Sequence, residues 1–296
     1  MNRRILLDYS ASKVMGLLTA SSCLITLLVI LALYFRSKLI LDAKPLAGLL
    51  LSSNWHPFRG EFGFYPFIMG TLWVTALAMM LAIPPSILAA VYLSEYAGKR
   101  TRELLSPMLD LLAGIPSVVL GVCGVLIIVP MIKDHIGPLF GAQTTGYCVL
   151  AAAIVLAVMV VPIITSVLLE VFSAIPKELK DSSLALGATK WQTIKHTVMR
   201  KALPGIIAAI ILGFSRAFGE TMAVLMVAGN VAAAPASIFD PAYPLPALIA
   251  NNYGEMLSLP MYDSALLLAS LILLSSVLLF NVLARLVLMK LEDRYR

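Results

Sequence analysis

The sequence predicts an all-α integral membrane protein with six transmembrane helices. Its 296 residues are 60% hydrophobic and only 13% charged, and the mean hydropathy is +0.94. No soluble domain needs this much apolar surface. Several apolar runs reach the roughly 20 residues that a helix needs to cross a bilayer. We place them at 13–35, 67–93, 104–132, 146–170, 203–229 and 263–289, within one transmembrane domain covering residues 1–296.

Lysine and arginine are unevenly distributed among the connecting segments. Most of the 22 lie at the two termini and in the 94–103 and 171–202 loops. Because cytoplasmic loops carry an excess of Lys and Arg, both termini are predicted to be cytoplasmic. The placement of the positive charges that give the net charge of +6 is therefore explained by membrane topology. We expect contacts with membrane lipid and none with nucleic acid. Cys23, Cys123 and Cys148 lie singly in apolar runs and predict no disulfide framework.

Two charged residues interrupt the fifth apolar run, in the stretch "ILGFSRAFGETMAVLMVAG" (211–229). Arg216 and Glu220 are four residues apart, and a continuous helix would present them one turn apart on one face. A charge at the bilayer centre costs roughly 2.5–3.5 kcal/mol, so lipid is a poor neighbour for that face. Either the two residues form an ion pair that ties helices together, or Arg216 binds an anion in a water-filled path. Arginine suits an oxyanion because its guanidinium contacts two oxygens at once and stays protonated.

Other polar residues in the spans have two interpretations each. Ser117 and Thr221 could donate hydrogen bonds to the same anion, or could satisfy carbonyls of their own helices. Glu220 could orient the Arg216 guanidinium or accept a proton from the anion. Asp110 and Glu170 lie near predicted cytoplasmic ends of spans, where a solvated or paired carboxylate is the simpler interpretation and a role in the path is the other.

The predicted cytoplasmic loop "SAIPKELKDSSLALGATKWQTIKHTVMRKALPG" (173–205) has the pattern of two short helices. Pro176 suits the first turn of a helix, and Gly187 suits the left-handed residue that ends it. Thr189 and Gln192 have the spacing of a capping box that begins a second helix. One apolar stripe of that helix is formed by Trp191, Ile194 and Val198. The pair could rest on the membrane surface or bind a cytoplasmic partner, and periodicity does not separate these alternatives.

The stretch "KDSSLALGATKWQTI" in this loop resembles the EAA loop of binding-protein-dependent ABC importer permeases. Asp181, Ser182 and Ser183 stand where the family has E-A-A. The family's G-A pair and the tryptophan of its following helix are matched by Gly187, Ala188 and Trp191. Asp in place of Glu and two serines in place of alanines are departures from the family pattern. The resemblance implies a coupling loop, about 173–202, that binds a groove of an ATPase subunit.

The stretch "RAFGETMAV" (216–224) resembles the R-A-x-G-E signature of oxyanion importer permeases, which include those for sulfate, molybdate and phosphate. Its continuation E-T-M-A-V is typical of the C-type permease subunit of phosphate-specific importers. The stretches "NWHPFRGEFGFYPFIMGTL" (54–72), "YLSEYAGKR" (92–100) and "LDLLAGIPSVVLG" (109–121) resemble the same subunits. The resemblance implies the type I ABC importer permease fold and a phosphate path that includes Arg216, Glu220, Thr221 and Ser117. A sulfate or molybdate importer is the nearest alternative.

The resemblance also implies partners. These are a homologous A-type permease subunit, two ATPase subunits that bind ATP and Mg, and an extracytoplasmic phosphate-binding protein, assembled in the bacterial cytoplasmic (inner) membrane. The chain itself has no P-loop and no HExxH motif, so we expect neither an enzyme nor a cofactor or metal site in it. An ion-coupled secondary transporter with Glu220 carrying protons is an alternative of a different class. It predicts an inverted repeat, and none is recognisable.

Overall fold

The computed structural model describes residues 3–254 and 259–295. Arg296, a cationic residue of the C-terminal segment that contributes to the predicted orientation, lies outside the described residues. The helices are, in chain order, α1 (Arg3–Ala43), α2 (Leu46–Leu51), α3 (Tyr65–Val91), α4 (Lys99–Ala113), α5 (Ser117–Cys123), α6 (Val129–Met131), α7 (Gly137–Leu139), α8 (Val149–Ser173), α9 (Lys177–Ala185), α10 (Lys190–Thr193), α11 (Met199–Phe218), α12 (Met222–Val227), α13 (Leu245–Asn252) and α14 (Pro260–Tyr295). Four π-helical turns adjoin them, at Tyr92–Tyr96, Gly124–Ile128, Ile132–Ile136 and Ile194–Val198. A short hairpin pairs β1 (Trp55–His56) with β2 (Glu61–Phe62), and the 3₁₀ turn Pro57–Arg59 connects the two strands.

Six helical segments of the described chain are long and apolar enough to cross a membrane. The prediction of six spans is therefore confirmed. Several of these segments combine helices with the adjoining π-helical turns. Their bounds are Ala11–Ala43, Tyr65–Tyr96, Ser117–Leu139, Val149–Ser173, Lys190–Phe218 and Pro260–Met289.

The third and fifth spans differ from their predicted limits. The predicted third span, 104–132, is interrupted, because α4 ends at Ala113 and α5 begins at Ser117. Pro116 has no N–H to continue the helix and disfavours helical geometry in the residue before it. The fifth span begins at Lys190 and not at 203. The second helix of the predicted loop is thus the beginning of a span, since no residue between α10 and α11 ends the helical path.

The fourth span, α8, lies at the centre of the bundle. Two thirds of its most apolar window (67%) is buried, whereas none of the window in the first span is buried. Small residues of α11 allow its close approach to α8. A Cβ added to Gly213 would lie 2.6 Å from the side chain of Ile164, and one added to Gly205 would lie 2.5 Å from that of Val171. Glycine at these positions therefore lets the two backbones pack closely.

The segment after α12 folds back onto the bundle. The chain turns at Gly229 and Asn230, whose φ values are 90° and 53°. Val149 N–H, at the start of α8, donates to Asp240 O (2.9 Å). Further along, Leu245 N–H donates to the buried Thr71 Oγ1 (2.9 Å). These bonds attach the segment to both α8 and α3, at the end of the bundle opposite the 173–205 loop.

Candidate functional site

The fifth apolar run is broken between Arg216 and Glu220. α11 ends at Phe218, Gly219 follows it, and α12 begins at Met222. Glycine is a poor helix former, so a helix ends readily at Gly219. The side chains of Glu220 and Thr221 form hydrogen bonds with backbone groups there, in place of helical backbone hydrogen bonds. Glu220 Oε1 accepts a hydrogen bond from Ala223 N–H (3.4 Å), and Thr221 Oγ1 donates to Gly219 O (3.3 Å). The prediction that Arg216 and Glu220 share one face of a continuous helix is therefore wrong.

Arg216 and Glu220 do not form an ion pair. The ion pairs within residues 3–254 and 259–295 join Arg36 to Asp263, Lys99 to Glu103 and Lys180 to Glu95, and none includes either residue. The interpretation of Arg216 and Glu220 as a self-neutralising structural pair thus has no support in the geometry. Each charge has to be explained by its own surroundings.

Arg216 lies on the face of α11 that the rest of the chain leaves uncovered. Ala208, Leu212 and Arg216, at intervals of four residues, are all exposed. The neighbouring positions Gly213 and Ala217 are buried. Because a guanidinium in hydrocarbon is costly, this face requires water or another protein beside Arg216. Arg216 therefore lies on a face suited to a water-filled path or to a contact between subunits.

Glu220 is half-buried and lines a narrow cavity together with Ala217, on the covered side of α11. The cavity has a volume of about 10 Å³, at the lower limit of what one water needs (roughly 10–15 Å³). Its polar side chains are those of Glu220, Thr71 and Thr75, the last two from α3. Thr71 and Thr75 are missed by the sequence interpretation. Their signal is a pair of hydroxyls at a spacing of four residues in an apolar span.

Ser117 lies at the level of the break in the fifth span. A Cβ on Gly121 would meet Ala223 at 3.1 Å, and a Cβ on Gly124 would meet Val227 at 2.9 Å. Gly124 follows Gly121 in one segment and Val227 follows Ala223 in the other, so the two contacts come in the same order along both segments. α5 and α12 therefore run parallel. Ser117, one turn before Gly121, is therefore level with the residues one turn before Ala223, which include Glu220. Its hydroxyl has no hydrogen-bond partner among the described residues.

A polar groove of about 270 Å³ lies between α4 and α8. Ser166 Oγ donates to Asp110 Oδ1 (3.3 Å), and Arg102 Nη2 donates to Ser173 Oγ (2.6 Å). Glu170 also lines the groove and is exposed. Asp110 is therefore hydrogen-bonded at the rim of the bundle, in agreement with the simpler interpretation of this carboxylate.

The predicted coupling loop, residues 173–202, has the helix–glycine–helix form that the sequence predicts. α9 begins directly after Pro176, and Gly187 has a φ of 85°. The second helix begins with the predicted capping box. Thr189 Oγ1 accepts from Gln192 N–H (3.3 Å), and Gln192 Oε1 accepts from Thr189 N–H (2.8 Å). The local design of this loop is therefore confirmed.

The predicted motif residues of the coupling loop take different positions. Asp181 and Ser182 are exposed, and Ala188 is half-buried. Ser183 Oγ lies 3.0 Å from Thr193 Oγ1 and joins α9 to α10. The loop also presents four large exposed apolar side chains, of Leu179, Leu184, Leu186 and Trp191.

The predicted apolar stripe of Trp191, Ile194 and Val198 is buried only in part. Ile194 and Val198 are buried, whereas Trp191 is 57% exposed. Trp191 lies in the first turn of α10, and the π-helical turn Ile194–Val198 changes the helical period directly after that helix. Trp191 therefore belongs to the exposed apolar surface and not to the buried stripe.

Residues 82–295 match the protein family described as "Binding-protein-dependent transport system inner membrane component". The chain belongs to this family. It is therefore a multi-pass inner-membrane permease component of a binding-protein-dependent transport system, and not an enzyme. Membership of this family favours the ABC importer permease over the alternative of an ion-coupled secondary transporter.

Several known members of the family are similar to this chain along most of its length. Probable ABC transporter permease protein YqgH of Bacillus subtilis (strain 168) is 40% identical, over 74% of this chain and 70% of the relative. Phosphate transport system permease protein PstC of Xylella fastidiosa (strain 9a5c) is 36% identical, over 82% of this chain and 79% of the relative. Probable phosphate transport system permease protein PstC of Methanocaldococcus jannaschii is 31% identical, over 95% of this chain and 94% of the relative.

Solved structures of ABC importers have the same fold. One is a chain of a bacterial transporter involved in the import of the acidic polysaccharide alginate (TM-score 0.58, 16% identity, 96% of this chain and 99% of that one). Another is a chain of the MetNI methionine ABC transporter in an inward-facing conformation (TM-score 0.56, 19% identity, 75% and 93%). At these identities the likeness concerns the fold alone. The predicted ABC importer permease fold is thereby confirmed.

Proposed function

We propose that this chain is the C-type permease subunit of an ATP-driven phosphate importer, and that it forms the phosphate path together with a homologous permease chain. The observation that carries the proposal is the similarity to proteins named as phosphate transport system permeases, which extends over 95% of the chain in one case. The stretch "RAFGETMAV" points to the same substrate class. Residues 1–296 form one permease domain in this proposal.

Arg216 is the residue that we assign to the anion. Its guanidinium offers parallel N–H donors that fit two oxygens of a phosphate. It is unpaired in the described chain and lies on an exposed face. A second permease chain facing this surface would enclose a path lined by Arg216. Enclosure removes the contact with lipid that would make the charge costly.

Ser117, Glu220 and Thr221 take separate roles at the same level of the bundle. Ser117 donates to the anion, since its hydroxyl has no other partner in the described residues. Thr221 shapes the break in the fifth span, because its hydroxyl already donates to Gly219 O. Glu220 holds the start of α12 through Ala223 N–H and lines the cavity beside Thr71 and Thr75.

ATP hydrolysis in this proposal takes place on two partner subunits. These partner subunits, and not this chain, bind ATP and Mg. The exposed leucines and Trp191 of the coupling loop supply an apolar surface for those subunits. An A-type permease chain and an extracytoplasmic phosphate-binding protein complete the assembly.

The test uses the complete complex reconstituted in lipid vesicles with its binding protein. Phosphate is expected to stimulate ATP hydrolysis and to be taken up, and Arg216→Gln is expected to abolish uptake while the complex still assembles. Sulfate and molybdate are tested in parallel. Stimulation by either of them with none by phosphate would transfer the assignment to that anion. Full uptake by Arg216→Gln would remove Arg216 from the path.

A further inference from the structure

The coupling loop is tied to the end of the second span by a nearly buried ion pair. Lys180 Nζ, on α9, lies 2.6 Å from Glu95 Oε1, in the π-helical turn Tyr92–Tyr96. The side chains are only 20% and 9% exposed. Ser94 Oγ donates to the same carboxylate oxygen at 3.1 Å. This carboxylate therefore accepts two hydrogen bonds, one of them from the coupling loop.

A second contact joins the other helix of the loop to the same turn. Lys190 Nζ, at the start of α10, lies 4.7 Å from the ring centroid of Tyr96, within the range of a cation–π interaction. Lys180 and Lys190 lie on opposite sides of Gly187. Both helices of the coupling loop are thus held by adjacent residues of one turn, Glu95 and Tyr96.

These contacts differ in kind from an ordinary surface ion pair. The Lys99–Glu103 pair, one helical turn apart within α4, has side chains that are 89% and 63% exposed and a separation of 3.9 Å. Water and mobile side chains leave such a pair with little effect. The Lys180–Glu95 pair is short and shielded, and removing Lys180 would leave a buried carboxylate without its cation. The contact is therefore a shielded link between the loop and the turn.

The turn is continuous with the helix that lines the cavity at Glu220. α3 contains Pro84 and Pro85 in its interior, and it continues without a break into the turn Tyr92–Tyr96. From Glu95 to Thr75 the helix extends roughly 30 Å at about 1.5 Å per residue. Thr75 and Thr71 then line the cavity together with Glu220. One helix thus connects the coupling loop to the interior of the bundle.

We propose that Lys180 and Glu95 are positioning residues that join the coupling loop to α3, so that movement of the loop is passed to the cavity lined by Thr71, Thr75 and Glu220. Lys190 and Tyr96 support the same joint. The proposal rests on the proposed function in one respect, that an ATPase subunit moves the coupling loop. It does not depend on which anion is transported.

The first experiment measures phosphate uptake per ATP hydrolysed in the reconstituted complex. Lys180→Met and Glu95→Gln are each expected to lower this ratio at least threefold at unchanged complex yield. The exchanged pair, Lys180→Glu with Glu95→Lys, is expected to restore it to within twofold of the wild type. The matched controls are Lys177→Met on the same helix and Glu103→Gln from the exposed pair, both expected to keep the wild-type ratio.

Two outcomes of this experiment would overturn the proposal. One is a wild-type ratio in both single variants. The other is a lowered ratio in the single variants that the exchanged pair, assembled at wild-type yield, does not raise, because the effect then does not depend on the contact between the two side chains. If the single variants do not assemble, Lys190→Met and Tyr96→Leu test the second contact by the same ratio, and a wild-type ratio there counts against the joint.

A second experiment needs no transported anion. A nitroxide is attached at Met80→Cys, an exposed position of α3, after Cys23, Cys123 and Cys148 are replaced by alanine. ATP with vanadate is expected to change the spectrum in the complex with an intact joint, and Lys180→Met is expected to reduce that change at least threefold. An equal change in both, or none in either, would overturn the joint. A Lys180-dependent change without stimulation by phosphate would reject the substrate assignment alone.

Discussion

Arg216 and Glu220 stand on opposite sides of a helix break and form no ion pair within the described part of the chain. Arg216 belongs to the last turn of α11 and is exposed, whereas Glu220 precedes α12 and lines an internal cavity. A continuous helix would have brought the two charges together. The break separates them, so one charge is available on a face open to a partner and the other stabilises the start of a helix.

The guanidinium geometry of Arg216 is the first property to test. Arg216→Lys keeps the positive charge but loses the paired N–H donors, and Arg216→Gln loses the charge. A hydrogen bond to a charged group contributes about 1.5–3 kcal/mol, so we expect uptake to fall on the order of tenfold to a hundredfold in Arg216→Lys. Initial rates of phosphate uptake in vesicles are the measurement. Arg36→Gln is the control, since Arg36 lies in the first span, is 74% exposed and makes only a 3.8 Å contact with Asp263. Wild-type rates in Arg216→Lys would contradict a role for the paired N–H donors of the Arg216 guanidinium.

Glu220 tests the independence of the two charges. Glu220→Gln keeps a side-chain oxygen that can accept from Ala223 N–H, so we expect the thermal stability of the purified complex to change little.

A double-mutant cycle tests whether the two residues interact. Because Arg216 and Glu220 form no ion pair, the destabilisation in Arg216→Leu and in Glu220→Leu should add up to that in the double variant, with a coupling under about 0.5 kcal/mol. Thermal unfolding of the four complexes measures it. A larger coupling would mean that the two side chains meet in the assembled transporter. Phosphate uptake near the wild-type rate by an assembled double variant would remove both residues from the path.

Gly187 tests the coupling loop by its backbone. At a φ of 85° a β-branched residue is strained by on the order of 1 kcal/mol or more, although a Cβ there meets no atom within 4 Å. Gly187→Val should therefore weaken co-purification of the ATPase subunits while membrane insertion stays normal. Gly98→Val is the matched control, because Gly98 is equally open but has an ordinary φ of −69°. Undiminished ATPase association in Gly187→Val would show that the turn is unimportant for docking.

Gly213 tests the packing of the fifth span on α8. A valine there would place its Cβ 2.6 Å from Ile164, and overpacking of this kind costs typically 1–3 kcal/mol. We expect a lower unfolding temperature of the complex in Gly213→Val. Gly16→Val in the first span is the control, because no atom lies within 4 Å of its added Cβ. Equal unfolding temperatures of the two variants would contradict the close approach of α11 and α8.

Some features of this protein follow from the sequence because they depend on neighbouring residues. The six spans follow from apolar runs of sufficient length, since lipid contact requires them. The Thr189–Gln192 capping box and the left-handed Gly187 follow from interactions within four residues. These local predictions are confirmed, and they include the helix–glycine–helix form of the coupling loop.

Other features were decided by contacts between residues that are distant in the chain. Apolar residues continue on both sides of Gly219, so the break in the fifth span could not be read from the apolar run. It forms where Glu220 and Thr221 bond to nearby backbone while Pro244, Pro246 and α3 surround Glu220. The exposure of Trp191 depends similarly on which elements cover α10.

The division has a physical reason. The length of an apolar run, a helix cap and a glycine with positive φ each depend on residues that are close in the sequence and on the surrounding solvent or lipid. The sequence alone therefore determined the spans, the form of the coupling loop and the family signature around Arg216. The Lys180–Glu95 pair and the cavity of Thr71, Thr75 and Glu220 join residues up to about 150 positions apart. Such contacts exist only after α3 and α11 have packed on α8 and α9 has packed beside α10, since no local pattern records which helices become neighbours. The tertiary structure alone therefore decided where the charge of Glu220 is held and which span the coupling loop is joined to.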